Sequence, residues 1–217
     1  MMEETIALAH RAPARDGLPD RLLLIVDGAG SFLVLRGAMA AIGRAACSDP
    51  ADIAIFGDIG ERHANLQRIE DDYFLFGSKE VVVAGRPTKH QLLRDGDRVV
   101  LGRKAKLLFR LPSRKSASAV LELSDTTKMP NDVRRVILFD RHATIGVGDS
   151  THVSCRHAAS PLVLFERDGG MWVRQKNDGH VDVSALPIEL GRPMEMGGVS
   201  FVLNPWKVHS SGMSERA

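Results

Sequence analysis

Apolar residues along the chain come in short unbroken runs separated by turns rich in glycine and charge, which is the rhythm of strands. Leu22-Leu23-Leu24-Ile25-Val26 leads into Asp27-Gly28-Ala29-Gly30, and Phe32-Leu33-Val34-Leu35 then resumes the apolar pattern. Two apolar runs around a glycine-rich turn predict a β-hairpin. Further runs fall at residues 52–56, 73–76, 81–83, 99–101 and 107–111, with turn clusters such as Arg94-Asp95-Gly96-Asp97 between them. Short strands at intervals of roughly 8 to 12 residues, without helical periodicity, predict an antiparallel sandwich or barrel. The one candidate helix, residues 37–46, is alanine-rich but interrupted by glycine.

Residues 112–132 change character. Ser113, Ser116, Ser118, Ser124, Thr126, Thr127 and Pro130 give the start of this stretch a linker's composition, although Ala119-Val120-Leu121-Glu122-Leu123 reads as one more strand. The strand pattern returns at residues 135–139, 162–165, 172–173 and 199–203. The polar, small-residue ends predict frayed segments. The expected organisation is a disordered segment at 1–19, a β domain at 20–123, a linker at 124–133, a second and shorter β domain at 134–208, and a tail at 209–217.

The chain has 217 residues, 44% of them hydrophobic. That length buries roughly 70% of the unfolded surface without metal or disulfide staples. The net charge of +2 argues against a protein that coats nucleic acid or an anionic membrane. No run approaches the length of a membrane span. The start, Met1-Met2-Glu3-Glu4, is acidic and lacks the apolar stretch of a signal peptide. Cys47 and Cys155 match no metal or redox spacing, so a reducing cytoplasm is the expected location.

The two halves repeat one another. Ala41-Ile42-Gly43 recurs as Thr144-Ile145-Gly146, and Arg62-His63-Ala64 recurs as Arg156-His157-Ala158. Gly96 and Gly102 recur as Gly191 and Gly197, with the same separation. The first half carries an insertion between its Ile-Gly and its histidine. Landmarks in register at a period near 95 residues predict two copies of one small β domain.

At these residues the sequence resembles the forkhead-associated (FHA) family, a β-sandwich module that binds phosphothreonine peptides. The family pattern is Gly-Arg, Ser-x-x-His-Ala, Gly-Thr-x-x-Asn-Gly, and Leu-x-x-Gly-Asp before a final Gly. The first half matches at Gly43-Arg44, His63-Ala64, Gly85 with Arg86-Pro87, and Leu93-Arg94-Asp95-Gly96-Asp97 followed by Gly102. The second matches at Ile145-Gly146, Ser154-Cys155-Arg156-His157-Ala158, Asn177-Asp178-Gly179, and Gly191 followed by Gly197. The resemblance implies an all-β protein of two FHA-like sandwiches in tandem. It implies that the arginine after Gly and the serine of Ser-x-x-His grip phosphate, that the asparagine holds peptide backbone, and that the histidine braces the loops.

Both halves depart from the pattern. The first keeps Arg44 but has Gly60 for the serine, Ala84 for the asparagine and Glu80-Val81 for Gly-Thr. The second keeps Ser154 but has Val147 for the arginine, and Val183-Ser184 stand near its expected Asn-Gly. The candidate phosphopeptide residues are therefore Arg44, Arg62, Ser154 and Arg156. Gly43, His63, Gly146 and His157 are the structural loop residues, and both histidines are expected to be buried.

Other chemistry is weaker. Ser154, Cys155, His157 and Asp149 have the letters of a nucleophile triad without an oxyanion element. Histidines 142, 152, 157 and 180 lack ligand spacing, so no metal is expected. Arg103-Lys104-Ala105-Lys106, with Arg110, Arg114 and Lys115, reads as a solvated strand edge, and no aromatic platform accompanies it for nucleic acid. Residues 37–44 lack the Lys-Ser/Thr of a P-loop. The sequence therefore predicts a non-enzymatic, cofactor-free module in serine/threonine-kinase signalling. Its expected partner is a protein or phosphopeptide, with neither nucleic acid nor membrane involved. The alternative is a degenerate FHA scaffold that binds without phosphate. A second copy of the chain is a further candidate partner.

Overall fold

The computed structural model describes residues 17–113, 116–176 and 185–207. The first half contains β1 (Arg21–Val26), β2 (Gly30–Leu35), β3 (Met39–Arg44), β4 (Ile53–Ile55), β5 (Ala64–Ile69) and β6 (Asp72–Val83). It continues with β7 (Arg86–Leu93), β8 (Arg98–Leu101) and β9 (Ala105–Arg110); β10 (Ala119–Leu123) opens the second half. After a short 3-10 turn at Pro130–Asp132 come β11 (Arg135–Leu138), β12 (His142–Gly146), β13 (Val153–Ser154) and β14 (Leu162–Arg167). Strand β10 stands two strands before β12 as β1 stands two before β3. The last strands are β15 (Gly170–Gln175), β16 (Leu186–Pro187), β17 (Met194–Met196) and β18 (Val199–Pro205). The fold is all-β with two sheets. Among the described residues no helix is long and apolar enough to cross a membrane.

The candidate helix at 37–46 is the strand β3. Tertiary pairing overrides its alanine content: β3 lies between β4 and β5, and Ala40 and Ile42 face a core.

The large sheet runs β17-β18-β1-β2-β11-β10-β9-β8-β6-β5-β3-β4, with β7 paired to β6, while the small sheet runs β13-β12-β14-β15-β16. The large sheet encloses a first core, from Leu33 on β2 through Phe109 on β9 to Leu138 on β11. Its other end covers a second core, completed by Ile145, Leu162, Leu164 and Val173 of the small sheet.

Neither core follows the order of the sequence. Leu22, Leu24 and Val26 of β1 lie in the second core, where β1 pairs with β18. Ala119 and Leu121 of β10 lie in the first core, where β10 pairs with β9. Each half thus lends its first strand to the other half's core. Between the two exchanged strands, β2 and β11 pair in parallel, Leu33 opposite Val136 and Leu35 opposite Leu138. Leu33, Leu35, Val136 and Leu138 face the first core, and Phe32, Val34 and Ile137 face the second. A strand buried on both faces reads as a continuous apolar run, which is how both segments are written. Each such side chain contributes about 1.5–3 kcal/mol by leaving water.

The expected boundaries at 20–123 and 134–208 therefore cut across both cores. Residues 124–133, expected as a linker, are packed: Thr127 is 1% exposed, Met129 4% and Val133 0%. Phe56 and Lys128 form a β-bridge to this stretch. Leu18 belongs to the second core, so the expected disordered segment gives way to packed chain before β1. The rest of that segment before residue 17, and the tail, lie outside the described residues.

Polar side chains close the seam between the cores. Arg68 pairs with Asp140 at 2.7 Å, and Arg36, its side chain 3% exposed, pairs with Glu166 at 2.9 Å. The Tyr73 hydroxyl donates to the Ala117 and Leu138 carbonyls, at 2.8 and 3.2 Å, and burial pushes its pKa up.

Candidate functional site

The loops at the end of the first core are clamped to β3 by backbone. The Arg44 N–H donates to the Gly60 carbonyl at 3.0 Å and the His63 N–H to the Ile42 carbonyl at 2.9 Å. Gly43 has no alternative at this approach, because a Cβ there would overlap the Glu61 carbonyl oxygen. The clamp sets Glu61 beside Arg44, whose Nη2 donates to Glu61 Oε1 at 2.9 Å. Arg62 donates in the same way to Asp49 Oδ2 at 2.7 Å. Both candidate cations of the first half, Arg44 and Arg62, are thus paired with carboxylates of their own loops. All four side chains are well exposed, at 40% and 64% for the first pair and 53% and 84% for the second. Pairs so exposed contribute about 0–1 kcal/mol.

His63 is buried and braces this end. Its Nδ1 accepts the Gly60 N–H at 3.1 Å, and its Nε2 meets the Glu80 carbonyl at 2.9 Å. Its own carbonyl accepts the N–H groups of Ser78 and Lys79, at 3.0 and 3.2 Å, where β6 shifts register. One ring thereby ties the β4–β5 loop to the β6 bulge. Ala84, standing where the resemblance asks for asparagine, has φ 48°, a left-handed conformation that asparagine tolerates and alanine does not favour.

The second half is arranged differently. In the first half Ile42 pairs with Ala64, the residue after His63; in the second, Ile145 pairs with Leu162. The position equivalent to His63 is therefore Pro161, and His157 falls four residues earlier. His157 is exposed, which corrects the expectation of burial; its ring lies against Gly28, where a Cβ would come within 2.8 Å. Ser154 sits on β13 opposite Gly146, as Ala54 sits opposite Gly43, so it occupies a strand position. Arg156 is exposed in the turn beyond it. Asn177-Asp178-Gly179 and Val183-Ser184 lie outside the described residues.

The bracing histidine of the second half is His152, which the sequence reading weighed only as a metal ligand. It is 3% exposed. Its Nδ1 accepts the Thr144 N–H at 3.1 Å, and its Nε2 meets the Ser118 carbonyl at 3.1 Å. Burial holds its pKa down at about 4, with His142 adding to the effect. Glu61 and Asp49 also escaped the sequence reading, since a carboxylate beside a loop arginine looks like any solvated charge. Cys155 is fully buried and its sulfur rests 3.7 Å from the Asp27 carbonyl. Among the described residues no group of His, Cys, Asp and Glu is placed to hold a metal.

No protein-family model matches the chain, and no curated protein matches it. Among solved structures, the Slr1951 protein from Synechocystis sp. is similar at 23% identity, over 42% of this chain and 96% of that one, with a TM-score of 0.31. The Rv0020c FHA structure is similar at 21% identity, over 41% of this chain and 91% of that one, with a TM-score of 0.26.

Proposed function

We propose that the chain is a non-catalytic, FHA-like protein-binding module that docks a phosphothreonine-bearing segment of a partner, as in serine/threonine-kinase signalling. The observation that carries this reading is Arg44: a half-exposed guanidinium on a loop end locked by Gly43, Gly60 and His63. A charge-assisted bond to phosphate is worth about 1.5–3 kcal/mol, more than an exposed pair with Glu61, so a dianion displaces the carboxylate. Arg62, one residue beyond Glu61, is the second cation of this end. With Gly60 in place of the serine, binding is weak, with a dissociation constant in the tens to hundreds of micromolar, about 5–6 kcal/mol.

Site-resolved NMR titration with a phosphothreonine peptide and its plain counterpart tests this. The amides of Gly60 and His63 should shift saturably with the phosphorylated peptide only, and Arg44→Ala should abolish those shifts. The Glu61 carboxylate already satisfying Arg44 favours a second reading, a scaffold that binds without phosphate. Equal shifts from both peptides, or an indifferent Arg44→Ala, would decide for that scaffold.

A further inference from the structure

The exchange of first strands creates a cleft that neither half has alone. It has a volume of about 240 Å³ and is lined by Arg110, Glu122 and Arg135 from β9, β10 and β11 on one side, and by Asp149, Thr151 and Ser154 on the other. The position after Gly146, which corresponds to that of Arg44 after Gly43, carries no guanidinium: it is Val147, 64% exposed. The seam supplies two, Arg110 from β9 and Arg135 from β11. Arg135 stands 3.8 Å from Glu122, beyond hydrogen-bond range, and lies over the Phe32 ring. Arg110 gives its Nε to Asp95 at 3.3 Å. Ser154 is exposed beside them. Thr151 Oγ1 donates to the Gly148 carbonyl at 2.8 Å and so fixes the loop that forms the far wall.

We infer that this cleft is a second anion-binding site, taking the oxyanion head of one side chain from a bound protein segment, phosphate or carboxylate. Two planar donor forks and a neighbouring hydroxyl match an oxyanion, and the volume suits a single head group rather than a larger ligand. Glu122 and Asp149 bring the local charge close to balance, so the segment that fits carries a basic residue beside its anion.

The test uses the full chain carrying Arg44→Ala, which silences the first-core site, titrated by NMR. The ligands are inorganic phosphate and three versions of one lysine-flanked peptide, with phosphothreonine, glutamate or plain threonine. Saturable shifts of the Gly148, Thr151 and Ser154 amides are expected with an anionic ligand and not with plain threonine. Arg110→Ala and Arg135→Ala should each weaken them about tenfold. A response to phosphothreonine but not glutamate assigns a phosphorylated ligand, and equal responses assign a carboxylate. Absence of shifts with every anion, equal shifts with plain threonine, or indifference to both substitutions overturns the site. Arg110 lies at a strand end, so its variant reports on binding even if Arg135→Ala perturbs folding. Failure at Gly60 and His63 in the unmodified chain would count against the first-core reading and leave this one standing.

Discussion

The two cores solve one bracing problem with histidines drawn from different places. His63 precedes the strand that follows its loop, while His152 precedes β13, on the other side of its loop. Each ring accepts a backbone N–H at Nδ1 and donates from Nε2 to a distant carbonyl, which fixes the neutral tautomer. What differs is the reach. The His63 ring joins two segments within the first half, whereas His152 joins the second half to Ser118 beside the exchanged strand β10. The first brace holds the loop end that carries Arg44; the second locks the seam. Similar chemistry, moved to another position, serves a different purpose.

Cutting the chain gives the largest effect. A fragment of residues 17–123 leaves Leu22, Leu24, Val26 and Phe32 without the second core and removes β11 from the first. It should show no cooperative thermal transition, whereas the full chain melts in one. A fragment that melts like the intact protein would restore two independent domains.

Next comes a pair of equivalent glycines. Gly43→Ala forces a Cβ into the Glu61 carbonyl and should cost about 3 kcal/mol, lowering the melting temperature by several degrees or more. Gly146→Ala meets the Thr151 methyl at 3.2 Å and Pro161 in ordinary contact at 3.5 Å, and should cost under about 1 kcal/mol. Equal losses would show that both halves clamp their loops alike.

The histidines rank third. His63→Ala and His152→Ala should each cost about 1–3 kcal/mol, and exposed His157→Ala should be nearly silent. Acid gives a further test of His152. The His152 ring titrates near 6.5 when unfolded and at about 4 when folded, so the unfolded chain binds more protons between those values. Its contribution is complete above about pH 6.5 and drains as pH falls towards 4, by on the order of 3 kcal/mol. Denaturant midpoints measured across that window should fall in the unmodified chain and flatten in His152→Gln. An unchanged slope would dismiss His152 as the acid-sensitive group.

The smallest effects are local. Glu61→Ala should tighten phosphothreonine peptide binding a few-fold by freeing Arg44, measured by calorimetry; unchanged affinity would mean that the carboxylate does not compete. Ala84→Asn should stabilise by about 0.5 kcal/mol through its φ of 48°. A lower melting temperature would show that the turn has adapted to alanine.

Much of this was legible in the chain, and the losses have physical reasons. The hairpin of β1 and β2 is written in two apolar runs with glycines between them. Edge strand β7, Arg-Pro-Thr-Lys-His-Gln-Leu-Leu, was passed over because it pairs only with β6 and exposes most of its length. The matched triplets Arg62-His63-Ala64 and Arg156-His157-Ala158 suggested equivalent loops separated by an insertion, but pairing register sets Leu162, not Ala158, in the place of Ala64. Nothing local distinguishes a first strand that packs at home from one that packs across. The only trace is Phe32-Leu33-Val34-Leu35 and Val136-Ile137-Leu138-Phe139, apolar on both faces and so requiring a core on each.

The pairing of β1 with β18 also imposes an order in time. Leu22 meets Pro205 and Val26 meets Phe201, so β1 has no neighbour on that side until β18 has been synthesised. Such separation raises contact order and slows folding, because a long loop must close before its contacts repay the lost entropy. During synthesis the first hairpin waits with Leu22, Leu24 and Val26 uncovered, the state in which a nascent chain most needs a chaperone.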